Sequence, residues 1–244
     1  MIIGDKKNMA SAVIKNWDNK TWLSSKNYIN SFNKFLIKNL KINSKAKILD
    51  IGCGRGKILG SLSSKLRLKK KPLGIDIINH KDKDKRIKFR KINLINFSQK
   101  SKEKFDFILI KQTIHLIKLN EIKKILYQLK KRLNPKGKIV IFTLDTDKNE
   151  IPTFKSMKIK LNNSLKRDKK ILRIITKIFP YGNKKKFIYN VKINKKKYLE
   201  MIRNRYISTL IPLTKKQLLR GIQEISAKYK NTLKFKDKLI CIIL

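Results

Sequence analysis

The chain has 244 residues, enough to bury one full α/β core but too few for two such domains. Its 63 lysine and arginine residues, against 16 aspartate and glutamate residues, give a formal net charge of +47. Two cysteines, Cys53 and Cys241, do not suggest a disulfide scaffold, and the cysteines and histidines do not have the spacing of a metal cluster.

The amino-terminal segment, residues 1–44, is amphipathic and rich in aromatic side chains, among them Trp17, Trp22 and Tyr28. We predict helices here that precede the first strand. Residues 1–7 lack the apolar core of a signal peptide, and no run reaches the roughly 20 apolar residues that cross a bilayer. These features predict a cytoplasmic location and no membrane partner.

Residues 47–57 read as a buried strand that enters a glycine-rich turn and then a helix. Gly52, Gly54 and Gly56 permit backbone angles and a close ligand approach that side chains would obstruct. The first amides of the following helix would point at the turn and favour a ligand with oxygens or a carboxylate. The segment therefore predicts a cofactor pocket.

The spacing of this turn differs from that of dinucleotide-binding loops. Those loops follow G-x-G-x-x-G, whereas here the third glycine position holds Lys57. Asp50 also ends the strand, where a pyrophosphate gains nothing from a negative charge. A nicotinamide-dependent oxidoreductase is therefore disfavoured.

The run Asp50-x-Gly52-x-Gly54-x-Gly56 resembles motif I of the class I S-adenosylmethionine-dependent methyltransferases. The resemblance implies that the loop, including Cys53, wraps the amino-acid end of the cofactor. It also implies that Asp50 helps to bind the methionyl ammonium. Family members often use the segment before the first strand as a lid, so residues 1–44 are expected to be a lid on a domain at 45–244.

A second strand is predicted at 73–78, and Asp76 lies 20 residues after Gly56. An alternating strand-helix-strand unit delivers an acid at this distance to a ribose. By resemblance to motif II, Asp76 would accept hydrogen bonds from the ribose hydroxyls, with Ile77 beside it. After a third strand near 86–94, Asn93 stands where many relatives contact adenine; its alternative role is that of a turn residue.

The fourth strand, 105–110, is nearly continuously apolar, as a parallel strand covered on both faces should be. Gln112 and His115 follow it at the edge where ligands bind in open parallel sheets. The strand and the following histidine-leucine pair resemble small-molecule methyltransferases and not the enzymes that methylate exocyclic base nitrogens. His115 is the candidate base or acceptor-orienting residue, and packing against the next helix is the alternative.

A helix capped by Asn120, a turn at 134–137 and a fifth strand at 138–144 complete the predicted framework. The alternation of strands and helices, with the resemblance, predicts an α/β fold. We expect a Rossmann-like, seven-stranded, mostly parallel sheet with helices on both faces and an N-terminal helical lid. Residues 145–186 would be an inserted helical cover that selects the acceptor, before the last strands.

The segment from 187 to the closing strand at 239–244 resembles, loosely, small-molecule enzymes related to trans-aconitate methyltransferase. Arg205 and Tyr206 could there bind an acceptor carboxylate or phosphate, although a surface ion pair is the commoner role of such an arginine. Asp145 and Tyr206 are weaker candidates than His115 for a general base.

Lysine outnumbers arginine 53 to 10, and this ratio is typical of the coding bias of an AT-rich genome. The charge should attract nucleic acids nonspecifically and speed the arrival of an acidic acceptor. The sequence predicts an enzyme that methylates a small molecule, with acidic acceptors favoured by the positive charge, with S-adenosyl-L-methionine as cofactor and no metal. The alternatives are an RNA methyltransferase and a non-catalytic cofactor-binding module.

Overall fold

The computed structural model describes residues 21–244. Trp17 and the rest of 1–20, which belong to the predicted lid, lie outside the described residues. The helices are α1 (Lys26–Leu40), α2 (Lys57–Leu66), α3 (Leu94–Lys100), α4 (Leu119–Lys130), α5 (Lys155–Ile178), α6 (Lys195–Arg203) and α7 (Lys215–Lys228). The strands are β1 (Ile48–Ile51), β2 (Leu73–Asp76), β3 (Lys88–Lys91), β4 (Phe105–Lys111), β5 (Leu133–Leu144), β6 (Asn183–Asn194) and β7 (Thr232–Ile243).

The seven strands form one sheet in the order β3-β2-β1-β4-β5-β7-β6. β7 runs antiparallel to both of its neighbours, and the other paired strands are parallel. The chain order reverses direction between β1 and β4, and open α/β sheets bind ligands beyond the carboxyl ends of the strands at such a switch point. The predicted fold class is confirmed, and the topology places the expected site at the ends of β1, β2 and β4.

Apolar side chains on the two faces of the sheet build two core clusters. One contains α1 with its fully buried Tyr28 and Phe32, together with α2, α6 and α7; the other contains Phe97 of α3 and the apolar stripe of α4. Helices therefore cover both faces, as a parallel sheet requires.

Helix α5 contributes to both clusters. Its first half packs Met157 and Leu161 into the cluster of α1, and its second half packs Ile171 and Ile175 into the cluster of α4. Its middle contacts the carboxyl end of β5, where Thr143 Oγ1 donates to Asp168 Oδ2 at 3.0 Å. The predicted cover is thus one long helix that crosses the edge of the sheet where the site is expected.

Three sequence-predicted boundaries are corrected. Asn120 does not cap α4, because Leu119 already has helical geometry and packs against the core, which makes Lys118 the N-cap. Residues 134–137 are not the turn between the helix and the fifth strand, because α4 ends at Lys130 and β5 already begins at Leu133; its pairing with β4 continues through a register shift, and Lys136 has a φ of +63°. The closing strand begins at Thr232 instead of 239, because β7 pairs with β6 along its whole length.

No helix within residues 21–244 combines the length and the apolar composition needed to cross a lipid bilayer.

Candidate functional site

The glycine loop after β1 is held against the end of β2 by its own backbone. The amides of Gly52 and Cys53 both donate to the carbonyl oxygen of Ile75, at 2.9 and 3.1 Å. Gly52 and Gly54 have φ values of +72° and +54°, in the left-handed region that favours glycine. The loop therefore turns sharply at the switch point, and Thr113 occupies the space that a side chain at Gly52 would need.

The side chain of Asp76 connects the two segments that the sequence predicted to bind the cofactor, the glycine loop after β1 and the end of β2. Its Oδ2 accepts from the Gly54 amide at 2.8 Å, and its Oδ1 accepts from the Ile78 amide at 2.9 Å. The side chain is half-buried at the end of β2. Each oxygen keeps a further lone pair after these bonds, so the carboxylate fixes the loop and can still accept hydrogen bonds from a diol.

Asp50 lies at the buried end of β1, where its side chain is only 5% exposed. Burial raises the pKa of its carboxyl to about 7; the charge of Lys111 opposes this rise and that of Asp76 adds to it. The positive charge of Lys111 therefore compensates burial only in part. A cation bound beside Asp50 would stabilise its ionised form.

Lys111, the last residue of β4, was not predicted from the sequence. Its Nζ lies 5.3 and 5.5 Å from the ring centroids of Tyr28 and Phe32 and donates to Gln112 Oε1 at 3.2 Å. Its charge lowers the pKa of Asp50 and also that of Asp237. A lysine at the end of an apolar strand can indicate a functional position. In a chain with 53 lysines, however, this one does not stand out.

The other predicted cofactor contacts surround the loop. Gln112 adopts a φ of +51° directly after β4, and its amide donates to the carbonyl of Phe142 at 2.8 Å. Ile77 is 59% exposed beside Asp76, so it offers an apolar surface at the strand end. Asn93 caps α3, with its Oδ1 accepting from the Asn96 amide at 2.7 Å. The structure thus gives Asn93 the role of a cap, and its contact with adenine stays a prediction.

Replacing Gly52 tests whether the loop geometry is required. A Cβ at this position would lie 2.2 Å from Thr113 Oγ1, and the left-handed backbone alone costs an alanine about 1–2 kcal/mol. We expect Gly52→Ala to lower the free energy of unfolding by about 2–3 kcal/mol, measured by urea denaturation. In a Thr113→Gly background the collision is absent, so the cost should shrink to the backbone contribution. Equal costs in the two backgrounds would contradict this account.

Next to the glycine loop, at the carboxyl ends of β4 and β5, lies a hollow that we call the β4–β5 pocket. Helix α5 contributes Ser164 and Asp168 to its wall, and the antiparallel strand β7 contributes Asp237. The remaining lining residues are Trp22, Leu23, Gln112, His115, Leu144, Ile151, Tyr206, Ile207, Ser208 and Thr209. Gln112 thus connects the glycine-loop region with this pocket.

His115 lies in the β4–β5 pocket, as its place after β4 predicted. Burial, with a smaller contribution from the charge of Arg167, lowers the pKa of His115 to about 4. The imidazole is therefore neutral at pH 7, and its Nε2 has no hydrogen-bond partner within residues 21–244. A neutral imidazole can orient an acceptor or receive a proton, although a pKa of about 4 makes it a weak base.

Asp145, Arg205 and Tyr206, the weaker candidates for contacts with the acceptor, form hydrogen bonds or ion pairs within the protein. Asp145 forms an ion pair with Lys186 at 3.0 Å, which helps to hold its pKa below the ordinary value. The Arg205 guanidinium donates to the carbonyl oxygens of Leu210 and Ile211, so it fixes a turn instead of facing an acceptor. The hydroxyl of Tyr206 lies 2.9 Å from that of Tyr198, and burial raises its pKa, which disfavours a role as base.

A second hollow, the amino-edge hollow, lies at the opposite edge of the sheet. It is lined by six basic side chains, one acid and several apolar groups. The basic residues are Lys47, Lys70, Lys71, Lys88, Arg90 and Lys104. This hollow lies at the amino ends of the strands and shares no lining residue with the β4–β5 pocket.

Comparison with known proteins gives a family and a fold. The methyltransferase domain family matches residues 26–186. Among solved structures, the plantazolicin methyltransferase BpumL in complex with a monoazolic desmethylPZN analog and SAH is 20% identical, with a TM-score of 0.51; the alignment covers 98% of this chain and 90% of that one. A putative methyltransferase from an antibiotic biosynthesis pathway of Anabaena variabilis is 12% identical, with a TM-score of 0.57 and coverage of 86% and 95%. The search of curated proteins finds no match.

Proposed function

We propose, because the chain belongs to the methyltransferase domain family, that it transfers a methyl group from S-adenosylmethionine to a small-molecule acceptor. The observation that carries the proposal is the Asp76 carboxylate, which accepts from the Gly54 amide and so joins the glycine loop to the end of β2. A nucleoside cofactor needs its amino-acid end and its sugar bound together, and this contact brings the two predicted binding regions into one site.

The residues present fit this cofactor. Asp50 is a buried carboxylate whose pKa is raised to about 7, so a methionyl ammonium beside it would offset the cost of its burial. Asp76 keeps lone pairs for two ribose hydroxyls, and the exposed Ile77 offers an apolar surface for a base. The relatives crystallised with SAH support the same class of ligand.

When bound, S-adenosylmethionine supplies a methyl carbon whose bond to sulfur breaks with the electron pair left on sulfur, so the protein needs no acid for the leaving group. The chain's own task is to align an acceptor with that carbon and to exclude water. The β4–β5 pocket holds Gln112 and His115 beside the proposed cofactor site, so both residues can position an acceptor. The neutral His115 is the candidate to receive a proton from the acceptor.

Two parts of the predicted organisation are included in the proposal. Residues 145–186 select the acceptor, because Ser164 and Asp168 of α5 line the β4–β5 pocket. The lid at 1–44 contributes Trp22 to the same pocket from its described part. A cytoplasmic location and an acidic acceptor stay predictions from the sequence; the side chains inside the pocket favour a different acceptor class, as argued below.

An RNA acceptor is the alternative that the net charge motivates. The basic amino-edge hollow would attract a polyanion, but it shares no residue with the proposed cofactor site. Binding there is expected to be nonspecific and to weaken steeply with added salt. A small-molecule acceptor is therefore favoured over RNA.

Cofactor binding tests the proposed function. In isothermal titration calorimetry we expect S-adenosylmethionine to bind the protein with a Kd in the micromolar range, and NAD to show no heat of binding. Incubation with cofactor labelled at the methyl group, together with metabolite and RNA fractions, should place label in a small molecule. Absence of S-adenosylmethionine binding to the folded protein would overturn the proposal, and label found only in RNA would establish the alternative.

A further inference from the structure

The β4–β5 pocket differs in charge from the rest of the chain. Lysine and arginine make up 63 of the 244 residues, yet none of the residues that line this pocket is a lysine or an arginine. Two of them are aspartates with exposures of only 3% for Asp168 and 1% for Asp237. The charges that a molecule would meet inside the pocket are therefore opposite in sign to those on the surface.

The pocket also holds hydrogen-bonding capacity that the described part of the chain leaves unused. Asp168 Oδ2 accepts from Thr143 Oγ1 at 3.0 Å, whereas Asp168 Oδ1 has no partner within residues 21–244. The buried Thr209 Oγ1 and His115 Nε2 are likewise without partners there. A buried polar atom without a hydrogen bond costs about 1–3 kcal/mol, so a ligand that donates to these atoms would recover that energy.

Asp237 is positioned by a contact with the wall of the pocket. Its Oδ2 accepts from Trp22 Nε1 at 3.1 Å, which anchors the carboxylate beside an aromatic ring. Leu144, Ile151 and Ile207 add apolar surface to the same pocket. An occupant that matches this lining has an apolar body and at least one group that donates hydrogen bonds to carboxylates.

We propose, resting on the function proposed above, that the methyl acceptor is an apolar molecule that carries a positively charged amine, and that Asp168 and Asp237 bind this amine. An ammonium offers several N–H donors to the two buried carboxyl groups. It also carries a positive charge, which no residue that lines the pocket supplies. A carboxylate-bearing acceptor would instead be repelled by the ionised Asp168 and would offer these oxygens no hydrogen-bond donor. This acceptor class differs from the acidic one that the net charge of the chain predicts.

Nearby positive charges do not reverse this assignment. Lys111 lowers the pKa of Asp237 and Arg167 lowers that of Asp168, but burial raises both by more. The pKa of Asp168 rises to about 6, so its carboxyl is mainly ionised at pH 7. The surface lysines act through solvent and are screened beyond about 8 Å at physiological salt, whereas the aspartates would contact the amine directly.

Two probes with similar bodies and opposite charges test the proposal: 2-phenylethylamine and 3-phenylpropionate. Their affinities are measured by ligand-observed NMR on the full chain with saturating S-adenosylhomocysteine. We expect the amine to bind at least tenfold more tightly than the carboxylate, which corresponds to about 1.4 kcal/mol. Asp168→Asn and Asp237→Asn should each weaken the amine about tenfold, whereas Asp147→Asn should not, because that acid is 62% exposed and pairs with Lys169 on the surface.

Tighter or equal binding of 3-phenylpropionate would overturn the proposal, as would the absence of amine binding. Unchanged amine affinity in both Asp168→Asn and Asp237→Asn would also overturn it. Each variant's affinity for S-adenosylhomocysteine is measured first, because retained binding shows that the neighbouring site is intact. If the wild-type chain fails to bind S-adenosylhomocysteine, the proposed methyltransferase activity fails, while the contrast between the two probes still reports the charge preference of the pocket.

Discussion

Asp76→Ala is expected to weaken the binding of S-adenosylmethionine at least 100-fold and to lower the free energy of unfolding by about 2–4 kcal/mol. Both effects follow from the same carboxylate. It accepts from the amides of Gly54 and Ile78 at 2.8 and 2.9 Å, so its loss leaves these two amides without their partner, and the glycine loop is then held to β2 by the backbone bonds to Ile75. The substitution also removes the proposed acceptor for the ribose hydroxyls. Calorimetry measures the first effect and urea denaturation the second.

Two further variants separate charge from structure at this position. Asp76→Asn keeps the shape of the side chain but turns one acceptor oxygen into a donor that faces a backbone amide, so an intermediate loss is expected. Glu103→Ala removes one acidic charge from an exposed pair with Arg90 and should change neither quantity measurably. Wild-type cofactor affinity in Asp76→Ala would rule out the assigned role.

The parts of the molecule that sequence predicted are those whose signal is local. Asp50 and Gly52 belong to one strand-turn-helix segment, and Asp76 follows at the distance that a strand-helix-strand unit imposes. Their spacing is set by the backbone geometry of that unit and not by distant packing. The mostly parallel sheet was predicted from a pattern that is also local, because strands that alternate with helices are joined by crossovers that make neighbouring strands parallel.

The parts that sequence did not predict depend on contacts between distant segments. Asp168 and Asp237 meet in one pocket because α5 crosses the sheet edge and β7 returns antiparallel beside β5. Neither aspartate has a local pattern that marks it as buried. Lys111 was missed for a different reason, since lysine is so frequent in this chain that one more carries little information. Asn120 shows that a good capping residue loses to a neighbour whose apolar side chain the core requires.

Asp50→Asn is expected to have opposite effects on stability and on binding. Burial raises the pKa of Asp50 to about 7 in the folded protein, from an ordinary value of 3.8. Because the folded-state pKa is raised, the acid favours folding only while it is protonated. The contribution of protonated Asp50 to the free energy of unfolding is fully present below pH 3.8 and is lost as the pH rises through about 7. Above that pH the buried charge destabilises the fold, and an uncharged asparagine removes this cost.

At about pH 8 we therefore expect Asp50→Asn to raise the free energy of unfolding by an amount on the order of 2–4 kcal/mol. At about pH 3.5, where Asp50 is largely protonated in both the folded and the unfolded chain, the difference between variant and wild type should be small. Binding should change in the other direction, because the asparagine offers no charge to the methionyl ammonium. We expect the affinity for S-adenosylmethionine to fall at least 30-fold, about 2 kcal/mol, at about pH 8.

Urea denaturation at the two pH values and calorimetry with the cofactor measure both sides of this exchange. Glu103→Gln serves as the control for charge alone, because that exposed acid lies away from the glycine loop. Lower stability of Asp50→Asn at about pH 8 would show that Lys111 compensates the buried charge fully, and unchanged cofactor affinity would remove Asp50 from the ammonium site. A gain in stability combined with a loss of binding is the signature of a carboxylate retained for its ligand at the expense of the fold.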